Sequence, residues 1–195
     1  MNVDFSNPVW VIVLIAVVGL ILVIMIGVML HLRKRKKVSA ELREKFGSEY
    51  DREVVMHGSE RKAEAKLTER ETRVDRLKIR ELGDAQRERF LRDWALVQSR
   101  FVDHPTGSVT EADELISAIL LARGYPLSGF EQNAEDISVD HPLQMEMYRA
   151  AHAIVVRSGV GEASTEELRA AMIQYRTLFD ELVQVDVPLT QRLAS

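Results

Sequence analysis

Hydrophobic positions fall along this chain in two regimes. From Val9 to Leu30 they are continuous: "VWVIVLIAVVGLILVIMIGVML" holds no charge and no polar group beyond the Trp10 indole. At about 1.5 Å per residue, a helix of that length covers roughly 33 Å, enough for a hydrocarbon core of about 30 Å. The pattern predicts a transmembrane helix over 9–31, preceded by a short extracytoplasmic tail, 1–8. A cleavable signal peptide would need a basic start and a shorter apolar core, and neither is present. Five basic residues follow the run: Arg33, Lys34, Arg35, Lys36 and Lys37. They predict contact with anionic headgroups and a cytoplasmic location for everything downstream.

Beyond the basic run the apolar positions become periodic. Over 32–82 they are sparse and set among interleaved charges, as in a solvated helical arm. Leu42, Phe46, Tyr50 and Val54 recur every fourth residue, and Gly47 and Gly58, each followed by Ser, mark helix breaks. The longest piece is expected from Glu60 to Lys78. Its stripe through Ala63, Leu67, Arg70, Val74 and Leu77 resembles a short coiled-coil seam interrupted by arginine.

From Gly83 the stripes widen into four helix faces: Phe90, Leu91, Trp94, Val97 and Phe101; Val109 to Leu120; Leu143, Met147, Ala150, Ala151, Ile154 and Val155; and Leu168 to Leu182. Ser164 and Glu167 form a capping box, and Pro105 and Pro142 sit at helix starts behind Asp-His pairs. No run pairs convincingly as strands, since Val183 to Val187 meets Pro188. The expected fold is therefore all-α: a transmembrane helix, a charged arm, a helical bundle over 83–184 and a flexible tail, 185–195.

Charge changes this picture in one respect. The net charge of −4 divides into +4 over 1–37, +1 over 38–100 and −9 over 101–195. So acidic a C-terminal half lacks the clustered cations that nucleic acid demands, and nucleic-acid binding is excluded as a reading. The chain has no cysteine, which removes disulfides, thiolate metal sites and cysteine nucleophiles. Its five histidines, His31, His57, His104, His141 and His152, match no metal-ligand spacing. "GVGEAS" from Gly159 lacks a phosphate loop's third glycine and opens into acidic "STEE". No catalytic residues, cofactor or metal are expected.

Five stretches carry a resemblance: "LREKFGSEYDR" (42–52), "VQSRFVDHP" (97–105), "ARGYPLSGFEQNAEDISVDHP" (122–142), "YRAAHAI" (148–154) and "STEELRAAMIQYRTLFDEL" (164–182). They resemble an uncharacterised family of small bacterial single-pass membrane proteins, in which Pro is favoured where this chain has Ser48. The resemblance implies a plasma (inner) membrane location, with the N-terminus outside and the helical domain cytoplasmic. It brings no activity and no site residues.

The segment "RGYPLSGFEQNAEDISVDHP" (123–142) reads in two ways. Its aromatics plug the end of the bundle while its acids face water, or Tyr125, Phe130, Glu131, Glu135 and Asp136 form an acidic docking surface for a basic protein. The functional expectation is a membrane-tethered helical interaction module. A helical ligand-binding or enzymatic domain and a self-associating structural membrane protein are the alternatives. The expected partners are the anionic bilayer and a basic protein, with self-association as a further mode.

Overall fold

The computed structural model describes residues 8–126 and 128–183; within the first helix the side chains of residues 8–13, 15, 31, 32 and 35 lie outside the described set. The expected tail at 185–195, the placement of the Trp10 side chain and the strand-like run ending at Val187 also lie outside it. Among the described residues all regular structure is helical, and the chain divides into two compact units, Met1–Glu44 and Lys45–Ser195.

The first unit is most of a single helix, α1 (Pro8–Phe46). Among the described residues no helix is long and apolar enough to cross a membrane, which corrects the transmembrane helix expected over 9–31. Nor does the helix end at the basic residues; it continues through them to Phe46. Leu14 and the apolar side chains from Val17 to Leu30 are exposed.

In the second unit, Gly47 at φ +51° separates α1 from α2 (Ser48–His57). Gly58, in the left-handed conformation, caps α2, and Ser59 starts α3 (Glu60–Val74). The two form an antiparallel hairpin joined through Tyr50, whose hydroxyl donates to Glu64 at 3.1 Å, while Lys45, in the last turn of α1, makes an ion pair with Glu71 of α3. The solvated arm expected over 32–82 is corrected here. Ala63, Leu67, Arg70 and Val74 are buried, so the seam read as a coiled coil packs within the unit, against α2 and α6.

An extended segment, 77–83, then runs past the end of α5. Arg80 donates its backbone N–H to the Arg123 carbonyl at 2.8 Å. A Cβ on Gly124 would stand 2.6 Å from the Lys78 carbonyl, and its φ is +102°, so that crossing admits only glycine.

Helices α4 (Asp84–Arg100), α5 (Pro105–Arg123), α7 (Met145–Ser158) and α8 (Thr165–Val183) form the main bundle. The expected faces of α5 and α8 are buried throughout. On α4, Phe90, Trp94 and Val97 are buried but Leu91 is exposed. The face of α7 is corrected by part of a turn. Met145, Tyr148, Ala151 and Ile154 point inward, while Leu143, in a 3₁₀ turn at Pro142–Gln144, is exposed. Helix α6 (Phe130–Ile137), inside what read as a long connection, was not expected.

Helix ends are closed by side chains from near and far. Ser164 and Glu167 make the reciprocal capping box at α8: the Ser164 N–H donates to Glu167 at 2.8 Å, and the Glu167 N–H donates to Ser164 Oγ at 3.3 Å. The Ser164 N–H, the Ser164 hydroxyl, which donates to the same oxygen at 2.8 Å, and Arg157 hold the Glu167 carboxyl down at about 2. At the other end of α8, where its own last turn has no cation, Arg87 donates to the Val183 carbonyl at 3.0 Å and Arg123 to that of Leu182 at 3.3 Å. Two guanidinium groups thus meet the negative end of the helix dipole.

Trp94 anchors α4 to α8. It is 1% exposed, and its ring stacks on Phe179 with centroids 4.7 Å apart. Trp94→Ala is expected to destabilise the chain by about 3–5 kcal/mol in a denaturant titration, the cost of a large core cavity.

Candidate interaction surfaces

The residues expected to dock a partner lie on or beside α6, and the structure sorts them. Tyr125 is buried, its hydroxyl donating to Asp140 at 2.7 Å. Phe130 is half-buried, stacked on the His152 ring at 3.6 Å and tilted against Tyr148 at 5.0 Å. These two match the expected bundle plug, and neither is free for a partner. Of the acids only Asp136 is buried; Glu131 is exposed and the Glu135 side chain is 37% exposed. Glu131, Glu135 and Asp136 are brought together on α6, yet each is engaged by an arginine of the same chain.

The arginines come from α2, α3 and α7. Arg73 meets Asp136 at 2.7 Å and Glu135 at 3.1 Å. Arg149 meets Glu131 at 2.7 Å and Glu49 at 3.2 Å, and Arg52 approaches both at 3.7 and 3.9 Å. Arg70 lies deepest. It donates to Glu53 at 2.7 Å and to Ser138 Oγ at 2.9 Å, with Glu49 at 3.6 Å and Glu135 at 3.7 Å. Glu49, Glu53, Arg70 and Asp136 are all 3% exposed or less. At His57, Nε2 lies 3.2 Å from Glu53 and closes the α2 side of the cluster. Burial works against the Arg73 charge, but Asp136 and Glu135 outweigh it and raise that guanidinium's pKa.

Sequence reasoning missed this network because Arg73 stands 63 residues from Asp136 and Arg70 stands 68 from Ser138. One signal was available. An arginine on an otherwise apolar stripe, Ala63-Leu67-Arg70-Val74, must be buried with partners or break the stripe.

A second polar cluster ties α5, α7 and α8 together. Tyr175 donates to Asp113 at 2.8 Å, and His152 Nδ1 lies 3.3 Å from the same carboxylate. Burial first, then the Asp113 charge, pushes the Tyr148 and Tyr175 hydroxyls far above their ordinary range. Burial and then Asp140 do the same at Tyr125. His152 is accordingly a packed, hydrogen-bonded histidine. Among the described residues no His, Cys, Asp and Glu side chains group so as to hold a metal ion.

Two open surface features lie elsewhere, along α4 and α5. A depression of about 560 Å³ is lined by Arg100, Asp103, His104, Pro105, Ser108 and Glu111 among others. A second, of about 310 Å³, is lined by Asp93, Leu96, Val97, Glu114 and Leu115 and shares Arg100 and Glu111 with the first. The two form one groove with Asp93, Asp103, Glu111 and Glu114 along it. Arg100 donates to Glu111 at 3.0 Å, so the groove's guanidinium is already paired. Leu96 is 53% exposed at its edge.

No family model, curated protein or solved structure matches this chain.

Two outcomes test these placements. Arg70→Met leaves Glu49 and Glu53 buried beside no close guanidinium from α3 and is expected to cost about 3–5 kcal/mol in urea unfolding. Adding Glu53→Gln to that variant should recover part of the loss, because the uncompensated charge goes with it.

Alkaline titration followed by phenolate absorbance should show Tyr125, Tyr148 and Tyr175 remaining protonated while the fold persists. Their folded pKa values are raised above the unfolded value of about 10. The native state therefore binds more protons above that pH, and stability falls as pH rises beyond about 10.

Proposed function

We propose that the chain is a helical protein-interaction module, and that the groove between α4 and α5 takes a basic amphipathic segment of a partner protein. The observation supporting this reading is the groove's lining: four carboxylates beside Leu96, Val97, Leu115 and Pro105, with its arginine already paired. Lysines or arginines of an entering helix would meet the acids, and its apolar face would cover Leu96. Such a surface gives fast encounter and marked salt sensitivity.

The basic run at Arg33 to Lys37 supplies the other half of the reading. The side chains of Arg33, Lys34, Lys36 and Lys37 are exposed. Each basic residue near an anionic lipid surface contributes about 1 kcal/mol. Headgroup contact there would hold the module at the inner face of a plasma membrane, the location its resemblance implies.

A synthetic helical peptide with lysines on one face and leucines on the other serves as the probe, read by fluorescence anisotropy. Asp93→Asn, Asp103→Asn and Glu114→Gln together should weaken binding about tenfold, equal to about 1.4 kcal/mol, and flatten its salt dependence. A control changing Glu146, Glu162 and Glu166 to Gln alters net charge equally on other surfaces and should shift affinity by less than about twofold. Equal losses in both variants would mean that general charge, not the groove, binds the peptide.

A further inference from the structure

The second unit is held together in two different ways, and the division falls between the hairpin and the bundle. The main apolar core draws on Leu82 and on α4 through α8, with Leu77 and Ile79 packed against it. The hairpin's buried apolar residues Tyr50, Ala63, Leu67 and Val74, with Phe46 at the end of α1, lie outside that core. The side-chain bonds that join the hairpin to α6 and α7 are made by charged groups: Arg70 with Ser138 and Glu135, Arg73 with Glu135 and Asp136, Arg52 with Glu131, and Glu49 with Arg149. The link to the bundle is the extended segment 77–83, which is itself pinned to α5 by Arg80.

We propose that the α2–α3 hairpin is a releasable clasp, and that the acidic face of α6 beneath it is a masked binding surface for an arginine-bearing chain segment. Three physical points lead there. An apolar core is lost only by exposing it to water, whereas a seam of ion pairs exchanges one set of charged partners for another. The seam engages both helices of the hairpin, through Glu49 and Arg52 on α2 and Arg70 and Arg73 on α3. The hairpin has an internal contact of its own, Tyr50 to Glu64, and Lys45 at the end of α1 holds Glu71 of α3, so neither bond depends on α6.

The occupant's chemistry is read from what sits there now. Glu135 and Asp136 accept from Arg73 in a fork, Nε to Asp136 at 2.8 Å and a terminal nitrogen to Glu135 at 3.1 Å. A planar guanidinium suits two adjoining carboxylates better than an ammonium does. The same face holds Ser138 Oγ toward Arg70. The partner-binding acids expected on this segment thus already have a basic partner, which the chain supplies itself.

Hydrogen exchange on the full chain, read peptide by peptide, tests the clasp. Arg73→Gln alters the more exposed rim of the seam. It should raise exchange across 48–74 by about tenfold or more while α5 and α8 keep wild-type protection, as expected of a separate opening unit. Unchanged exchange in 48–74, or an equal rise in α5 and α8, would overturn the clasp. The masked surface is tested in the Arg70→Met, Arg73→Gln chain by adding a synthetic peptide of residues 45–78. Protection returning over 130–138 supports the surface. If the peptide at saturating concentration leaves 130–138 open, the acidic face does not take arginine-bearing segments and that half of the proposal fails.

Discussion

A guanidinium buried to 3% exposure constrains everything around it. The planar Arg70 cation needs acceptors on every side that faces the interior. Taking that charge from water costs several kcal/mol, which must be offset by carboxylates and neutral acceptors in good geometry. Glu53 and Glu49 on α2, Ser138 just past α6 and Glu135 on α6 supply them. The two buried glutamates in turn need cations, and Arg149 on α7 meets Glu49. One side chain on α3 therefore ties the positions of three other helices to its own. A seam of this kind contributes less to net stability than an apolar interface of equal size, but it is far less tolerant of a shift in register.

The bundle solves the opposite problem. Its helices bury wide apolar faces, and polar groups appear where a helix ends or where a ring needs a partner. Helix α8 has no cation in its last turn, and Arg87 and Arg123 reach its terminal carbonyls from α4 and α5. Tyr175 buries its ring beneath Asp113 and keeps its hydroxyl bonded. The extended segment 77–83 lies between the two regimes and fixes their spacing. Its passage over Gly124 leaves no room for a Cβ, so the connection lies pinned against the end of α5 even though it is not helical.

How much of this was legible depended on whether burial was apolar. Helices α5 and α8 were readable because one side is aliphatic and aromatic at helical spacing over five turns. Helix α7 was read part of a turn off: Ala151 and Ile154 are buried as expected, but weighting Leu143 and Met147 over Tyr148 treats a hydroxyl as a sign of exposure. Eight-residue α6 is too short for periodicity and too acidic to suggest burial. The hairpin was misread for a related reason: a helix whose charges meet distant charges has the same sequence pattern as one whose charges meet water. The N-terminal run read as membrane-spanning, whereas among the described residues no helix is long and apolar enough to cross a membrane, and α1 continues through the basic residues to Phe46.

The same distinction decides where the chain's acidity acts. Residues 101–195 carry a net −9, which by itself suggests a uniformly acidic surface. At α6 that charge is cancelled in place, because Arg52, Arg70, Arg73 and Arg149 meet Glu49, Glu53, Glu131, Glu135 and Asp136 nearly one for one. Cancellation at short range leaves little field beyond a Debye length of about 8 Å. Along α4 and α5 the arrangement is different: Asp93, Asp103 and Glu114 stand in a groove whose guanidinium is engaged by Glu111. A groove with low-dielectric walls and charge of one sign focuses the potential outward. The acids that look most conspicuous in the sequence are therefore electrostatically quiet, and more widely spaced ones, brought together by two packed helices, face the solvent with their charge uncancelled.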